Sequence, residues 1–355
     1  MSDNFPSMTI HKPLIGITIG DPLGVGPEVV VKALADASLR SRARFLIFGA
    51  QDPLEFAADL AEITPYWWRE PFDQVGDVRT GVLLADFDDL PPMRVGPNDA
   101  HEADANAGRA SFRFLDEALR LAAAGRIDAI VTGPICKESW VMAGHKYAGH
   151  TELLAYRFGE RRVTMSFIAD DLRVALASDH VPLFDLRNRF TIGLVHQPID
   201  LLHQALRDDF GIASPHIGVL GLNPHAGEGG LLGDEEQRII EPAIAIARSR
   251  DIRVSGPIPA DTAFIPDALK KYDGIVAMYH DQGLIPVKML AFDRAVNLTL
   301  GLPIVRTSPD HGTAFDIAGR NRARPGSMRA AISLAIDLAE RRRAASGEYR
   351  LANSG

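Results

Sequence analysis

Short apolar runs that alternate with segments of helical periodicity are the feature that most constrains the fold of this chain. LIGITI at 14–19 precedes a helical pattern over 29–34, and RFLIFG at 44–49 precedes another near 53–62. Runs that are apolar at nearly every position are typical of strands in a parallel sheet covered by helices on both faces. The sequence therefore predicts an α/β fold with mainly parallel strands, and we expect two sheets. The remaining predicted strands lie at 127–132, 163–169, 172–178, 216–222 and 273–279, with a long helix predicted over 106–123.

Two regions depart from this alternation. The runs at 163–169 and 172–178 are separated only by Asp170 and Asp171, which predicts an antiparallel hairpin instead of a crossover. Residues 64–102 show the weakest periodicity of the chain. We interpret them as a surface excursion that carries no function of its own.

The charge balance and the single cysteine exclude several classes of function. Lys and Arg number 38 against 46 Asp and Glu, a formal charge of −8, so neither a nucleic acid nor an acidic membrane surface is expected as the main partner. The only cysteine, Cys136, can form neither an intrachain disulfide nor a cysteine-based zinc site. The chain has no apolar run of the ~18 residues typical of a membrane span and no N-terminal secretory pattern. We predict a soluble, cytoplasmic protein.

Three histidines follow predicted strands within a few residues. They are His180, His225 and His280. Open α/β sheets bind ligands beyond the carboxyl ends of their strands, so three imidazoles that meet there could hold a divalent metal with one position open. Each histidine taken singly is equally compatible with a hydrogen-bonded loop residue. The spacing alone leaves both interpretations open.

A second set of residues suits an anion. Lys288, Asn297 and Arg306 follow one another at intervals of nine in an otherwise apolar segment. Two cations and an amide donor are suited to a phosphate or carboxylate, although cations at strand ends are also commonly solvated. His150 and Thr151 add an imidazole and a hydroxyl, and Thr151 could instead cap a helix.

The glycine-rich segment GDPLGVGPE at 20–28 resembles a nucleotide-binding loop only superficially. Its spacing is GxxxGxG, whereas the dinucleotide fingerprint is GxGxxG. A tight turn between a strand and a helix is sufficient to explain the glycines.

Taken in order, six motifs resemble the 4-hydroxythreonine-4-phosphate dehydrogenase family, and the resemblance extends from about residue 13 to residue 340. The motifs are GDPLGVGPEVVVKAL (20–34), TGPICKES (132–139), AGHTELLA (148–155), GLNPHAGEGG (221–230), MYHDQGLIPVK (278–288) and DHGTAFDIAG (310–319). The last motif is also similar to the cofactor loop of isocitrate and isopropylmalate dehydrogenases. The resemblance therefore implies their two-domain fold, with an active-site cleft between a cofactor-side domain (13–135 plus 302–345) and a metal, substrate and dimerisation domain (136–301).

The resemblance also implies a role for individual residues. It implies a divalent metal, with zinc favoured, on His180, His225 and His280, and a homodimer whose metal site takes ligands from both subunits. It implies NAD as the cofactor, bound by the loop 311–320. The implied substrate-binding residues are His150, Thr151, Asp261, Lys288, Asn297 and Arg306. The implied cofactor-binding residues are His311, Gly312, Asp316 and Gly319, and the candidate proton carriers are Asp281 and Lys137.

The function implied is the NAD-dependent and metal-dependent oxidation of the secondary hydroxyl of 4-hydroxy-L-threonine 4-phosphate, with decarboxylation to 3-amino-2-oxopropyl phosphate. One alternative is a relative that oxidises 4-phospho-D-threonate or 4-phospho-D-erythronate. A metal-dependent lyase or aldolase acting on a phosphorylated substrate is an alternative from another enzyme class. NADP stays an alternative cofactor because of the arginines at 320, 322 and 324, since clustered arginines can accept its 2′-phosphate.

Overall fold

The structure, a computed structural model, describes residues 12–93, 95–96, 99–147, 149–160 and 162–346. It has an α/β fold, as the alternation of apolar runs and helical segments predicts. None of the helices in these residues combines the length and the apolarity that a membrane crossing requires. The division into two domains stays a prediction.

Twelve strands in the described part of the chain form one continuous sheet, in the order β3-β4-β2-β1-β5-β12-β11-β6-β7-β10-β8-β9. The prediction of two sheets is therefore wrong. The strands are β1 (Leu14–Thr18), β2 (Arg44–Gly49), β3 (Trp68–Pro71), β4 (Val82–Asp86), β5 (Ala129–Thr132), β6 (Thr164–Ala169), β7 (Leu172–Leu176), β8 (His216–Leu220), β9 (Arg253–Ile258), β10 (Gly274–Ala277), β11 (Val296–Leu300) and β12 (Val305–Pro309).

Strand direction explains why the sheet is continuous. Two parallel blocks, β3-β4-β2-β1-β5-β12 and β7-β10-β8-β9, are joined through β11 and β6. The antiparallel pairs within the described residues are β12–β11, β11–β6 and β6–β7. Because β11 bonds to β12 and to β6, and β6 bonds to β7, the hydrogen-bond ladder continues across the middle of the molecule. The predicted hairpin is confirmed as β6–β7, with Asp170 at φ +53° in its turn.

Helices connect the strands, as the sequence predicts. The predicted helix over 106–123 begins one residue earlier, where the Asp104 carboxylate accepts the backbone N–H groups of Asn106 and Ala107 as an N-cap. The helices are α1 (Gly26–Leu34), α2 (Ala37–Arg40), α3 (Gln51–Leu60), α4 (Ala105–Ala123), α5 (Lys137–Met142), α6 (His150–Phe158), α7 (Leu183–Arg189), α8 (Ile192–Asp208), α9 (Glu241–Arg248), α10 (Ala260–Ala263), α11 (Pro266–Leu269), α12 (His280–Ala291) and α13 (Gly326–Ser346).

The region 64–102 is more than a surface excursion, so this prediction is also wrong. It contains β3 and β4, and every residue of β4 is buried between β3 and β2. The apolar run VLLA within β4 is only four residues long. Such a short run carries little periodicity of its own, and only its partners make it a strand.

Candidate functional site

A cleft of about 340 Å³ lies over the central strands of the sheet. Alternate residues of a strand point to the same face, and the cleft is lined by such pairs as Arg306 with Ser308 on β12 and Met165 with Phe167 on β6. Asn297 on β11 pairs with Phe167 on one side and Ser308 on the other. The floor of the cleft is therefore one face of the sheet where its two halves join.

Most of the predicted site residues line this cleft, although they come from very different parts of the chain. The starts of α5, α6 and α12 supply some of them, and the loop after β12 supplies others. The predicted residues that line the cleft are Lys137, His150, Thr151, His180, His280, Lys288, Asn297, Arg306, His311 and Gly312. The predicted residues outside its lining are His225, Asp261, Asp281, Asp316 and Gly319.

Arg306 is the most unusual side chain of the cleft. It is only 2 % exposed, and its guanidinium donates to the hydroxyls of Thr132 at 2.6 Å and Thr299 at 3.1 Å. Among the described residues it forms no ion pair, and its Nε–H has no acceptor. Burial lowers its pKa to about 9. A buried cation without a counterion is costly, so the site is suited to an anionic ligand.

His150 is held in its neutral form beside this cation. Burial, followed by the charges of Arg306 and Lys137, lowers the pKa of His150 well below its usual value. Its Nε2 is buried and has no hydrogen-bond partner in the described part of the chain. A neutral imidazole with a free nitrogen can donate to or accept from a ligand hydroxyl or phosphate oxygen. Thr151 does not cap the helix, because Gly149 occupies the N-cap of α6.

The second cation of the cleft has a carboxylate partner. Lys288 Nζ lies 3.5 Å from Asp310 Oδ2. Burial raises the pKa of Asp310, and the charge of Lys288 partly opposes that rise. Asp310 was missed by the sequence analysis, although it begins the motif at 310–319 and directly follows β12. Its position at the end of a strand is the signal that could have identified it.

Two of the three candidate metal ligands lie together. The rings of His180 and His280 are 5.7 Å apart between centroids, and both line the cleft. His225 does not line it; its side chain is 67 % exposed and its Nδ1 lies 3.1 Å from Glu228 Oε2. No group of three His, Cys, Asp or Glu side chains within the described residues is arranged to hold a metal ion.

The loop that carries His225 has an unusual backbone. Each residue from 225 to 229 has a positive φ, including three that are not glycine: His225 at 52°, Ala226 at 52° and Glu228 at 43°. Non-glycine residues in this region cost free energy and cluster at functional sites. The conformation therefore supports a functional role for this loop.

The predicted cofactor loop lies at one wall of the cleft. His311 and Gly312 line the cleft, and the Nε2 of His311 is buried without a partner among the described residues. A Cβ at Gly312 would meet nothing within 4 Å. The protein itself therefore does not require glycine there, and the open space is where a ligand could approach the backbone.

A larger cleft, of about 740 Å³, opens beside Leu14, Arg44 and Ile127 at the amino ends of three strands. It contains none of the predicted site residues. Ligands of open α/β sheets bind at the carboxyl ends of the strands, so size alone does not make this cleft the functional site.

Comparison with known proteins shows which family this chain resembles in sequence and fold. The sequence profile of the family described as "Pyridoxal phosphate biosynthetic protein PdxA" matches residues 41–335. A 4-hydroxythreonine-4-phosphate dehydrogenase of Desulfosudis oleivorans is 44% identical over 329 residues, which cover 92% of this chain and 96% of the relative. A D-threonate 4-phosphate dehydrogenase of Cupriavidus necator is 43% identical over 337 residues, which cover 94% and 100%. The crystal structure of a 4-hydroxythreonine-4-phosphate dehydrogenase from Klebsiella pneumoniae superposes with a TM-score of 0.81 at 38% identity, covering 92% of this chain and 98% of that one.

Proposed function

Because this chain belongs to the PdxA family of pyridoxal phosphate biosynthetic proteins, we propose that it oxidises the secondary hydroxyl of a small phosphorylated hydroxy acid with NAD. The proposed substrate is 4-hydroxy-L-threonine 4-phosphate, which is decarboxylated to 3-amino-2-oxopropyl phosphate. The observation that carries this proposal is the buried guanidinium of Arg306, which has no carboxylate partner among the described residues.

The phosphate is proposed to bind at Arg306, Lys288 and Asn297. The whole chain carries a formal charge of −8, so long-range attraction does not gather an anion and local donors must do so. The planar guanidinium has an unused Nε–H in the described structure, and charge-assisted hydrogen bonds to phosphate are among the strongest available. His150 and Thr151 lie beside this position and complete the proposed substrate-binding set, with Asp261 retained from the family resemblance alone.

We propose that a divalent metal, zinc in the first instance, is held by His180, His225 and His280. Three imidazoles with one open position are typical of catalytic zinc. When bound, the metal would lower the pKa of the substrate hydroxyl and stabilise charge on its oxygen. His180 and His280 fit this role, because their rings are neighbours at the edge of the cleft.

Lys137 is the proton carrier that the geometry supports better. It lines the cleft at the start of α5. Asp281 lies outside the lining, and its Oδ1 is 2.8 Å from the Nδ1 of His280. A carboxylate bonded to the second nitrogen of a ligating imidazole typically orients that ring. We therefore assign Lys137 to proton transfer and Asp281 to orienting His280.

NAD is proposed to bind along the loop 311–320. Two features support placing its nicotinamide end near the cleft: the open face of Gly312, and the Nε2 of His311, which has no partner in the part of the chain that the structure describes. Gly319 has φ +66° and packs against His101, and with Asp316 it would support the rest of the dinucleotide. Arg324 lies 3.5 Å from Asp293, so at least one of the three nearby arginines already has a partner.

A panel of substrates tests this function. The purified protein is given 4-hydroxy-L-threonine 4-phosphate, 4-phospho-D-threonate and 4-phospho-D-erythronate, each with NAD or NADP and a divalent metal, and reduced nicotinamide is measured. We expect the highest kcat/KM with the first substrate and with NAD. The relative from Cupriavidus necator favours 4-phospho-D-threonate as the second candidate. Cleavage of a substrate without nicotinamide reduction would establish the lyase alternative, and a tenfold preference for NADP would overturn the choice of cofactor.

A homodimer with a metal at the subunit interface is also proposed, and exposed apolar side chains that flank the two clustered histidines support it. They lie just after His180 on α7 and after His280 on and beyond α12, where a lone chain would leave them in water. A second copy of this chain is the proposed occupant of this face. The exposed apolar side chains are Leu183, Phe184, Ile285, Met289 and Phe292.

Mixing inactive variants tests whether each metal site draws on two chains. His180 and His280 line the cleft within one chain and His225 does not, so we propose that the partner supplies His225. Equimolar unfolding and refolding of His225→Ala with His180→Ala should restore about a quarter of wild-type activity, because half of the dimers are mixed and each has one intact site.

The matched control for this mixing experiment is His180→Ala with His280→Ala, a pair in which every site lacks a ligand. This mixture should stay inactive. Failure of the first mixture to regain activity, with dimers present by light scattering, would contradict a site shared in this way.

A further inference from the structure

The glycine-rich segment 20–28 and helix α1 contact the cofactor loop in several places. The backbone N–H of Val25 donates to the carbonyl of Thr313 at 2.9 Å. A Cβ at Gly24 would lie only 3.0 Å from Thr313, so a side chain there would push the two segments apart. Gly24 therefore has a packing role in addition to the tight turn that the sequence predicts.

An ion pair on α1 extends this contact to residues 321–323, which directly follow the loop 311–320. Glu28 is 5 % exposed, and its Oε1 accepts from Lys32 Nζ at 2.6 Å and from the backbone N–H of Ala323 at 2.8 Å. Lys32 Nζ also donates to the carbonyls of Ala323 at 3.1 Å and Asn321 at 3.3 Å. One ion pair, in which Glu28 is buried and Lys32 is partly exposed, therefore binds one donor and two acceptors of the backbone at 321–323.

The loop segment that this pair holds does not have an ordinary conformation. Asn321 has φ +57°, a region that non-glycine residues enter only when their surroundings hold them there. Its side-chain amide donates to the carbonyl of Leu60 at the end of α3. The segment is thus fixed by contacts from two helices rather than by a hydrogen-bond ladder of its own.

We propose that Glu28 and Lys32 are positioning residues that hold the segment 311–324 in the conformation that receives the dinucleotide. Neither residue lines the cleft, so their effect on the reaction passes through the loop. Pre-ordering a loop lowers the entropy lost when a ligand binds it, and loss of that order appears as weaker binding. This inference rests on the proposed function, because it takes the loop to be the dinucleotide site.

The variant Glu28→Gln tests the proposal, since it keeps an oxygen for Ala323 N–H but removes the charge that binds Lys32. We expect the Kd for NAD, measured by direct titration of the ligand-free protein, to rise about tenfold, the scale of one lost charge-assisted hydrogen bond. Amide hydrogen exchange over 311–324 in the ligand-free protein should become faster. The kcat at saturating NAD and the KM for the phosphorylated substrate should change less than about twofold, because the cleft itself is intact.

Asp209→Asn is the matched control. Asp209 has a similarly buried carboxylate, 9 % exposed, which binds Arg342 at 2.6 Å instead of the loop. It should alter thermal stability without altering the Kd for NAD or exchange over 311–324. If Glu28→Gln does not fold, the double variant Glu28→Gln/Lys32→Met removes both charges and leaves no buried unpaired ion, and the same weakened NAD binding and faster exchange are expected.

Two outcomes overturn the inference in distinguishable ways. If the wild-type protein binds NAD and the folded variants bind it equally tightly with unchanged loop exchange, the positioning role is wrong and the proposed function stands. If the wild-type protein binds neither NAD nor NADP, the proposed function fails and this inference fails with it.

Discussion

Replacing Arg306 by lysine is expected to lower kcat/KM for the phosphorylated substrate. The expected loss of transition-state stabilisation is roughly 2–4 kcal/mol, the scale of disrupting a buried hydrogen-bonded charge pair. The guanidinium lines the cleft and is held by the hydroxyls of Thr132 and Thr299, so the plane of its remaining donors is fixed by the protein. A lysine ammonium is a point charge and cannot reproduce a two-pronged contact. Under the proposed function, binding energy from this remote group helps to position the reacting hydroxyl, so kcat should fall as well as KM rise.

The unphosphorylated substrate is the control for the Arg306 prediction. It should be poor with the wild-type protein and lose little further in Arg306→Lys. Equal losses for the two substrates would show that Arg306 supports the fold or the cofactor loop instead of the phosphate.

Thermal stability gives a second readout for the same residue. The pKa of Arg306 is lowered to about 9, so the folded protein holds this proton less tightly than the unfolded chain does. Below pH 9 the buried charge therefore destabilises the fold. Arg306→Met, which removes the charge at similar volume, should leave the Tm unchanged or raise it while abolishing the preference for a phosphorylated substrate. A large fall in Tm would contradict the view that the charge is kept for a ligand.

Replacing His225 by alanine is expected to lower kcat by about a thousandfold or more and to reduce the amount of metal bound. The reason is that a site with two protein ligands holds a divalent ion weakly. Metal content of the purified variant by elemental analysis and turnover with added metal are the measurements. His203→Ala, on α8 and outside the cleft lining, is the matched control and should retain both metal and activity. Full activity of the wild-type protein after removal of metal with a chelator would contradict the proposed metal site.

The expected size of the His225 effect depends on whether His225 is a metal ligand or a solvated surface histidine. His225 is 67 % exposed in a loop where three non-glycine residues have positive φ. A solvated surface histidine would be replaceable with almost no effect. The strained backbone, and the proposal that His225 completes the His180–His280 pair of a second copy, are what separate the two expectations.

The amino-acid sequence by itself determined the class of the fold and seven of the twelve strands that the described residues form, whereas β3, β4, β9, β11 and β12 were not predicted. Apolar runs such as 14–19 and 44–49 must be buried on both faces, and only helices on either side of a sheet can cover them. The hairpin of β6 and β7 was equally determined, because two residues are too few for a crossover. These features depend on local pattern, which is why they could be predicted without knowledge of any long-range contact.

Only the tertiary structure decided how the two halves of the sheet join and which side chains meet. Whether β12 and β11 continue one ladder depends on pairing between strands that the sequence cannot order. Arg306 shows the same limit. The spacing of nine residues left open whether Arg306 binds an anion or is a solvated cation. Its burial against two threonine hydroxyls, with no carboxylate partner among the described residues, follows from β5, β11 and β12 lying side by side. Burial and the choice of partners are properties of the packed molecule, and they convert an ordinary arginine into the proposed anchor of a phosphate.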